Sequence, residues 1–304
     1  MAVDISKGLF LSDGCVVRKD ALVLAAGFNT DPDQETSRVA FIVDGEWRSF
    51  DIEVDAVISA AASGDLSYIV ASKGSAFEVP VTPGLTFAET RSRIRPWVIQ
   101  DVVEYGELTR VRVIAGTPYC CGTSGQVYRL AGSQWVRADH GLRSVEKGPD
   151  LEDIDGFAPS ELYAVGTGGA MVRFDGKKWR RIDLSTNLNL SNVRCGPDDA
   201  CYVCGDSGLV MTGHGSRWRA IGTRIPGKNY WGLEIFEGDV YLAHGKGIDR
   251  IVGADIEPVP LKIKGRLTFH RLHGGDGQLW SFGTDHLLKM EGGIWTRVEL
   301  PFSP

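Results

Sequence analysis

The 304 residues are poor in several things, and each shortage removes a class of protein. Six cysteines are too few for a scaffold stapled by disulfides. No apolar run approaches the roughly 20 residues needed to cross a bilayer as a helix, so no membrane association is expected. Positive charge is not in excess: 33 Lys and Arg against 39 Asp and Glu leave a net charge of −6. A general nucleic-acid binder would show a basic face, and none is expected here. The opening MAVDISKGLFLSDG has no basic segment followed by a long apolar one, so no signal peptide is read and a cytoplasmic location is expected. No apolar stripe of helical period runs for three turns. HExxH, a Walker A loop and a strand–GxGxxG–helix unit are all missing.

What the chain has is repetition. Tyr119-Cys-Cys-Gly122, Tyr163-Ala-Val-Gly166, Tyr202-Val-Cys-Gly205, Tyr241-Leu-Ala-His-Gly245 and Trp280-Ser-Phe-Gly283 line up, their glycines spaced by 44, 39, 40 and 38 residues. Trp135, Trp179 and Trp218 keep the same spacing, and Trp47 lies two units upstream of Trp135. A period of about 40 is that of a four-stranded propeller blade. The fourth unit shows the pattern in full: Leu162–Val165, the turn Gly166-Thr-Gly-Gly169, Ala170–Phe174, the turn Asp175-Gly-Lys-Lys178, then Trp179–Ile182. Short strands joined by Gly-rich turns are hairpin chemistry.

Two further units precede these. Leu22–Gly27, Val39–Val43 and Trp47 make the first, and 55–79 makes a second without the tryptophan. The expectation is an all-β, seven-bladed β-propeller of four-stranded antiparallel blades, with residues 1–304 as one domain. Neighbouring blades must shield one another, since no such sheet buries both faces alone. Tryptophans 47, 135, 179, 218 and 295 are read as packing residues. Each would bury roughly 150–250 Å², a contribution of several kcal/mol at about 25 cal/mol per Å². Residues 3–11 are a candidate extra edge strand latching the first blade to the last.

Leu162–Gly169 and Phe174–Trp179 resemble the blade motifs of WD-repeat-like and kelch-like bacterial β-propellers, including sensor-type periplasmic ones. The resemblance covers nearly the whole chain but is structural, and fold alone assigns no function. There is no Trp-Asp dipeptide of the WD type and no Ser-x-Asp-x-Gly-x-x-Trp box of sialidases.

Several local features imitate chemistry. Gly205-Asp-Ser-Gly208 looks like a serine-protease nucleophile loop, yet Gly122-Thr-Ser-Gly125 and Gly166-Thr-Gly-Gly169 occupy the same place, and no base or orienting acid can be named. Cys201 and Cys204 have CxxC spacing without a second pair, and in a strand they face opposite ways. Adjacent Cys120 and Cys121 also point apart, and all six cysteines read as reduced, mostly buried thiols. His270, His273 and Asp276 could make a small metal group but read better as surface or turn residues. Asp150, Glu152, Asp153 and Asp155 read as a solvated acidic connector without the downstream Glu of a calcium loop. No metal and no cofactor is expected.

Loop lengths separate the two faces of the disc. Turns between third and fourth strands read as short, whereas connections between blades read as long and dissimilar: Glu89 to Gln100, Asp139 to Glu152, Asp183 to Asn192 and Gly222 to Trp231. These connectors emerge beside the loops between second and third strands, one of which is the insertion 28–38. Variable loops on a rigid frame are where recognition resides. The partner-binding candidates are Asp31 and Asp33; Arg91, Arg93, Arg95 and Trp97; His140, Arg143, Asp150 and Asp153; and Arg224, Lys228, Tyr230 and Trp231. Aromatic and Arg residues with mixed charge suit a protein partner better than a phosphate backbone.

The expected function is therefore a non-catalytic protein-binding propeller. Toxin-neutralising immunity proteins of bacteria include propellers, and such a protein would occlude its partner through the connector face. A glycan-binding, lectin-like propeller is the alternative. A hydrolase or lyase using the central channel is the second alternative. It requires convergent polar residues on the innermost strands, which are not evident in the sequence.

Overall fold

The computed structural model describes residues 9–28, 36–53, 55–144 and 146–300. These residues form seven four-stranded antiparallel sheets, each built from four consecutive strands. The blades span residues 9–52, 57–98, 108–137, 151–181, 190–220, 230–258 and 271–298. The first strand of each blade packs on the first strands of both neighbours, and the contact between Leu9–Arg18 and Arg271–Gly275 closes the circle. The result is a seven-bladed propeller, with the innermost strands around a central channel. Among the described residues no helix is long and apolar enough to cross a membrane.

The core follows from the period-2 alternation of each strand. Buried apolar side chains fall into seven clusters, one at each junction between blades. Trp47, Trp135, Trp179, Trp218 and Trp295 each reach from a fourth strand onto the preceding blade. Trp179 is the most buried, and its indole N–H donates to the carbonyl of Ala138 at 3.0 Å. Blade six has Ile256 in the corresponding place. The second blade lacks the repeat tryptophan, as the sequence indicates. Its Trp97 lies on the fourth strand but packs toward blade three instead.

The recurrent glycines have a steric cause. Gly122, Gly166 and Gly205 are all extended, with φ of −168°, −172° and −173°, so backbone freedom is not the reason for them. A Cβ there would stand 2.2, 1.8 and 2.0 Å from the carbonyl oxygens of Glu107, Asp150 and Asn189. Those oxygens accept hydrogen bonds from the next residues, Thr123, Thr167 and Asp206, at 2.9–3.0 Å. Glycine thus lets each inter-blade connector dock onto the following strand end. The turn beyond is also shared: Ser124, Gly168 and Ser207 have φ of 54°, 61° and 54°. Ser207 is a turn residue in a repeated loop.

Of the candidate latch at residues 3–11, residues 3–8 lie outside the described residues, and 9–11 begin Leu9–Arg18, the innermost strand of blade one itself. Closure rests on a shared apolar cluster and on polar ties: Leu11 N–H to Thr284 O at 2.8 Å, Lys19 N–H to Asp276 at 3.0 Å and Gln278 to Asp20 at 2.8 Å. The segment from Glu89 to Gln100 is not an inter-blade connector. Its residues 89–94 belong to an enlarged link between the third and fourth strands of blade two, Ser75–Pro80 and Arg95–Val98, and 95–98 are that fourth strand. That link holds one short helix, Phe87–Ser92, started by a capping box in which Thr86 and Glu89 satisfy each other's backbone N–H groups.

Candidate interaction face and channel

In a consecutive antiparallel blade, the loop from second to third strand and the connector to the next blade emerge on one face. The other two turns emerge on the opposite face. Residues 122–126, 166–170, 205–209, 138–144, 146–150, 182–189 and 221–229 therefore share the connector face. At its centre the channel opens into a cavity of about 470 Å³. Its wall includes Ser12, Glu152, Ser191, Trp231, His270 and Arg271, most of them from the first residues of innermost strands. Trp231 stacks on His270, with ring centroids 5.2 Å apart and planes at 20°. The same indole borders a second cavity of about 500 Å³ with Ile225, Pro226, Lys228 and Lys246. Trp231 is thus a ridge between two hollows, and Ile225 beside it is 47% exposed.

Below the mouth the innermost strands carry a charge network. Asp13 accepts from Ser59 Oγ at 2.7 Å and from Arg110 Nη1 at 3.0 Å. Asp153 receives both nitrogens of the Arg112 fork at 3.0 and 3.1 Å, Arg194 Nη1 at 3.3 Å, and lies 3.3 Å from Arg110 Nε. Arg194 continues to Glu234 at 3.3 Å. Burial pushes the carboxyls of Asp13 and Asp153 upward, but the surrounding guanidinium groups outweigh it and hold both below the usual carboxylate range. These residues are the convergent polar group that was not evident in the sequence, so the channel is charged rather than plain packing. Their charges are spent on one another.

Two charged groups at the mouth are different. Glu152 and Arg271 have no ion pair within 4 Å among the described residues. Burial raises the Glu152 carboxyl above its ordinary value, only partly offset by Arg271 and Arg110. Burial and the like charge of Arg110 bring Arg271 down to about 10, although Asp13 and Asp153 oppose this. Arg271 spends one hydrogen bond on the Trp231 carbonyl at 2.6 Å. The mouth therefore presents one carboxylate and one guanidinium to whatever enters it.

The structure separates the sequence candidates. Asp31 and Asp33 lie outside the described residues. Arg91 and Arg93 are exposed but sit on the opposite face, and Arg95 and Trp97 lie on an outermost strand, so these four do not join the connector face. The run from Asp150 to Asp155 is not a solvated connector. Only Asp150 is exposed, capping Ser124 N–H at 3.0 Å, while Asp153 is fully buried in the network. The Arg143 side chain is 2% exposed, 3.6 Å from Asp139 and stacked 3.9 Å from the Tyr105 ring. His140 is exposed and stacks on Phe174 at 4.8 Å. Lys228 and Tyr230 both donate to buried Asp249, whose carboxyl is held at about 2 because those bonds and one from His244 overcome burial. Arg224 is exposed on the connector face, and Trp231 is half-buried at the mouth.

His270, His273 and Asp276 are likewise apart in their contacts. His270 stacks on Trp231, His273 accepts from Val16 N–H at 3.2 Å, and Asp276 holds Lys19 N–H. Cys201 and Cys204 point into different inter-blade clusters, as do Cys120 and Cys121, which agrees with their strand positions. The sequence reasoning placed Glu152 only in an acidic connector and missed Arg271 and the channel arginines. Aligning Leu11, Leu108, Leu151, Leu190 and Phe269 brings Asp13, Arg110, Asp153, Asn192 and Arg271 together two residues on, with Arg112 and Arg194 four residues on; Glu152 falls outside both positions.

No family model matches the chain. Among curated proteins it is similar to the Immune protein Tsi7 of Pseudomonas aeruginosa, 31% identical over 198 residues. That stretch is 64% of this chain, and the chain spans 65% of the relative's length. Solved structures with the same fold include YCF48 bound to D1 peptide, with a TM-score of 0.69, 15% identity and coverage of 95% and 94% of the two chains. The WD40 β-propeller domain of Doa1 gives 0.70 at 10% identity, covering 98% and 96%. Virginiamycin B lyase from Staphylococcus aureus gives 0.65 at 12%, covering 81% and 84%. At these identities the likeness is one of fold.

Proposed function

We propose that this chain is an immunity-type propeller that neutralises a protein toxin by covering it with the connector face. The similarity to an immune protein at 31% identity carries this reading. The site geometry supports it. The channel mouth offers an aromatic ridge, Trp231, flanked by two hollows and by one free charge of each sign. Buried aromatic and Arg anchors inside a polar rim dominate interface energetics. The deeper carboxylates are engaged by arginines, which favours recognition over turnover in the channel. Binding then acts by occlusion: a toxin loop enters the mouth, and the surrounding connectors exclude substrate from the toxin's cleft.

Coexpression with the product of the adjacent open reading frame tests the reading. The expected result is a complex that survives gel filtration and restores growth of cells making that product. Absence of both, together with no protein partner recovered from a native lysate, would overturn it.

The glycan reading keeps one observation of its own. A cavity of about 450 Å³ lies between blades six and seven, where the rings of Tyr241 and Trp295 meet Arg250 and Glu257. Among the described residues the Trp295 indole N–H there has no hydrogen-bond partner. A glycan array on the folded chain, with Trp295→Ala as control, decides that point.

A further inference from the structure

Cys195 ends the first strand of blade five, Leu190–Cys195, and Cys201 opens the second, Cys201–Gly205. The two residues stand directly opposite each other in the antiparallel ladder. The turn between them closes with Gly196 N–H donating to Ala200 O at 2.8 Å, and Asp199 takes a left-handed φ of 60°. This is the three-residue hairpin form. Hydrogen-bonded and non-hydrogen-bonded pairs alternate along an antiparallel ladder. Residues 196 and 200 are hydrogen-bonded, so 195 and 201 make the adjacent non-hydrogen-bonded pair. In such a pair the Cα atoms are about 4.5 Å apart and the side chains share one face. That separation lies within the range of roughly 4.4–6.8 Å that a disulfide spans. Both side chains lie against the apolar cluster between blades four and five, and both are free thiols.

The other four cysteines are placed differently. Cys120 and Cys121 face opposite sides of one strand, Cys15 contacts Ser67 Oγ, and Cys204 points at the Tyr230 carbonyl. We propose that Cys195 and Cys201 form a built-in disulfide site, closed by exchange with a disulfide-bearing thiol oxidant. A thiolate of the pair attacks the oxidant's disulfide, giving a mixed disulfide and releasing one oxidant thiol. The second thiolate displaces the remaining oxidant thiol and forms the Cys195–Cys201 bond. The oxidant is reduced to two thiols, which take up the two protons lost by the cysteines.

Timing follows from burial. In the finished fold both thiols are short of water, which disfavours the thiolate that must attack. Cys195 keeps partial exposure while Cys201 is buried, so Cys195 is the entry point and exchange runs fastest before the hairpin packs. The bond would fix the turn that carries Asp198 and Asp199. Asp198 accepts from Tyr202 OH at 2.8 Å, and Asp199 lies 3.2 Å from His214 Nδ1 of the same blade. Such a site lets the same chain fold as a dithiol in a reducing compartment or as a disulfide in an oxidising one.

The test refolds the full chain in reduced or oxidised glutathione, alkylates it in denaturant and maps the free thiols by mass spectrometry. The expected result is loss of two alkylatable thiols in oxidised glutathione only, both from 195 and 201, with the chain about 2 Da lighter. Reductant should restore them, and the unfolding midpoint should rise on oxidation and fall back on reduction. Cys195→Ser and Cys201→Ser chains should each show no intramolecular loss. Six free thiols after oxidation, a bond between other cysteines, or a stable glutathione adduct on Cys195 without closure would each overturn the proposal.

Discussion

Arg112 and Asp153 face each other across the junction of blades three and four as a two-pronged ion pair, with nitrogen–oxygen distances of 3.0 and 3.1 Å. Asp153 is fully buried, and Arg110 and Arg194 also lean on it. One carboxylate thus balances much of the charge of three guanidinium groups from two other blades. Removing one partner of a buried pair leaves the other charge stranded, at a cost of about 3–5 kcal/mol. Asp153→Asn should lower the urea unfolding free energy by that amount. Arg250→Gln, which loses only a solvent-exposed pair with Asp239, should change it little. Equal effects of the two substitutions would remove the network from any account of stability.

The channel also sets a pH dependence. Burial depresses His273 to about 4, and the nearby Arg112 and Arg194 add to this despite Glu234. The folded chain keeps this imidazole neutral while the unfolded chain takes up a proton near pH 6.5. Its stabilisation is therefore complete above about pH 6.5 and lost as pH falls toward 4, by at most on the order of 3 kcal/mol. Glu152 and Asp155, raised by burial, act in the opposite sense and gain stability as pH falls. Asp13 and Asp153, held low, lose theirs only below about pH 4. Comparing unfolding midpoints of the wild type and His273→Gln between pH 7 and 4.5 isolates the histidine. The wild-type curve should fall more steeply, and parallel curves would count against the assignment.

How much of this was legible in the sequence depends on which side chains repeat. Trp179, Trp218 and the glycines at 122, 166 and 205 recur because every junction needs the same indole packing and the same close connector approach. That regularity made the blades readable. The network did not repeat. Asp13, Arg110, Asp153 and Arg271 hold comparable places on different blades with different charges, and the ion pairs of the first three reach to other blades, as from Arg110 to Asp153 and Asp13, 43 and 97 residues away in the chain. Blade two misled for a related reason. Its enlarged link through the short helix Phe87–Ser92 has the length of a connector, so Arg91 and Arg93 were assigned to the wrong face.

The docking role of the repeat glycines gives a sharp stability test. Gly166→Ala would set a methyl group 1.8 Å from the Asp150 carbonyl oxygen, a backbone atom that cannot swing away. Overpacking of this kind costs typically about 1–3 kcal/mol and sometimes more. Gly64→Ala meets no neighbouring atom among the described residues, and its φ of 56° limits the damage to backbone strain of about 1–2 kcal/mol. Chemical denaturation should rank Gly166→Ala as the more destabilised. The reverse order would mean that connector docking is looser than the structure indicates.

The two faces of the disc supply the decisive test of recognition. On the connector face, Trp231→Ala removes the ridge between the two hollows, and Glu152→Lys leaves the mouth with two cations instead of one of each sign. Neither side chain belongs to the buried pairings of Asp13 or Asp153, so folding should survive both. Truncating a central aromatic anchor typically costs about 2 kcal/mol or more, a loss of at least roughly 30-fold in affinity. Arg91→Glu and Arg93→Glu invert charge on exposed residues of the opposite face and should leave affinity within about twofold. Calorimetry against the partner recovered by coexpression, with thermal unfolding of each variant as control, reads both arms. If the arginine variants lose binding while Trp231→Ala keeps it, the partner sits on the face of the short helix and the mouth of the channel is not its site.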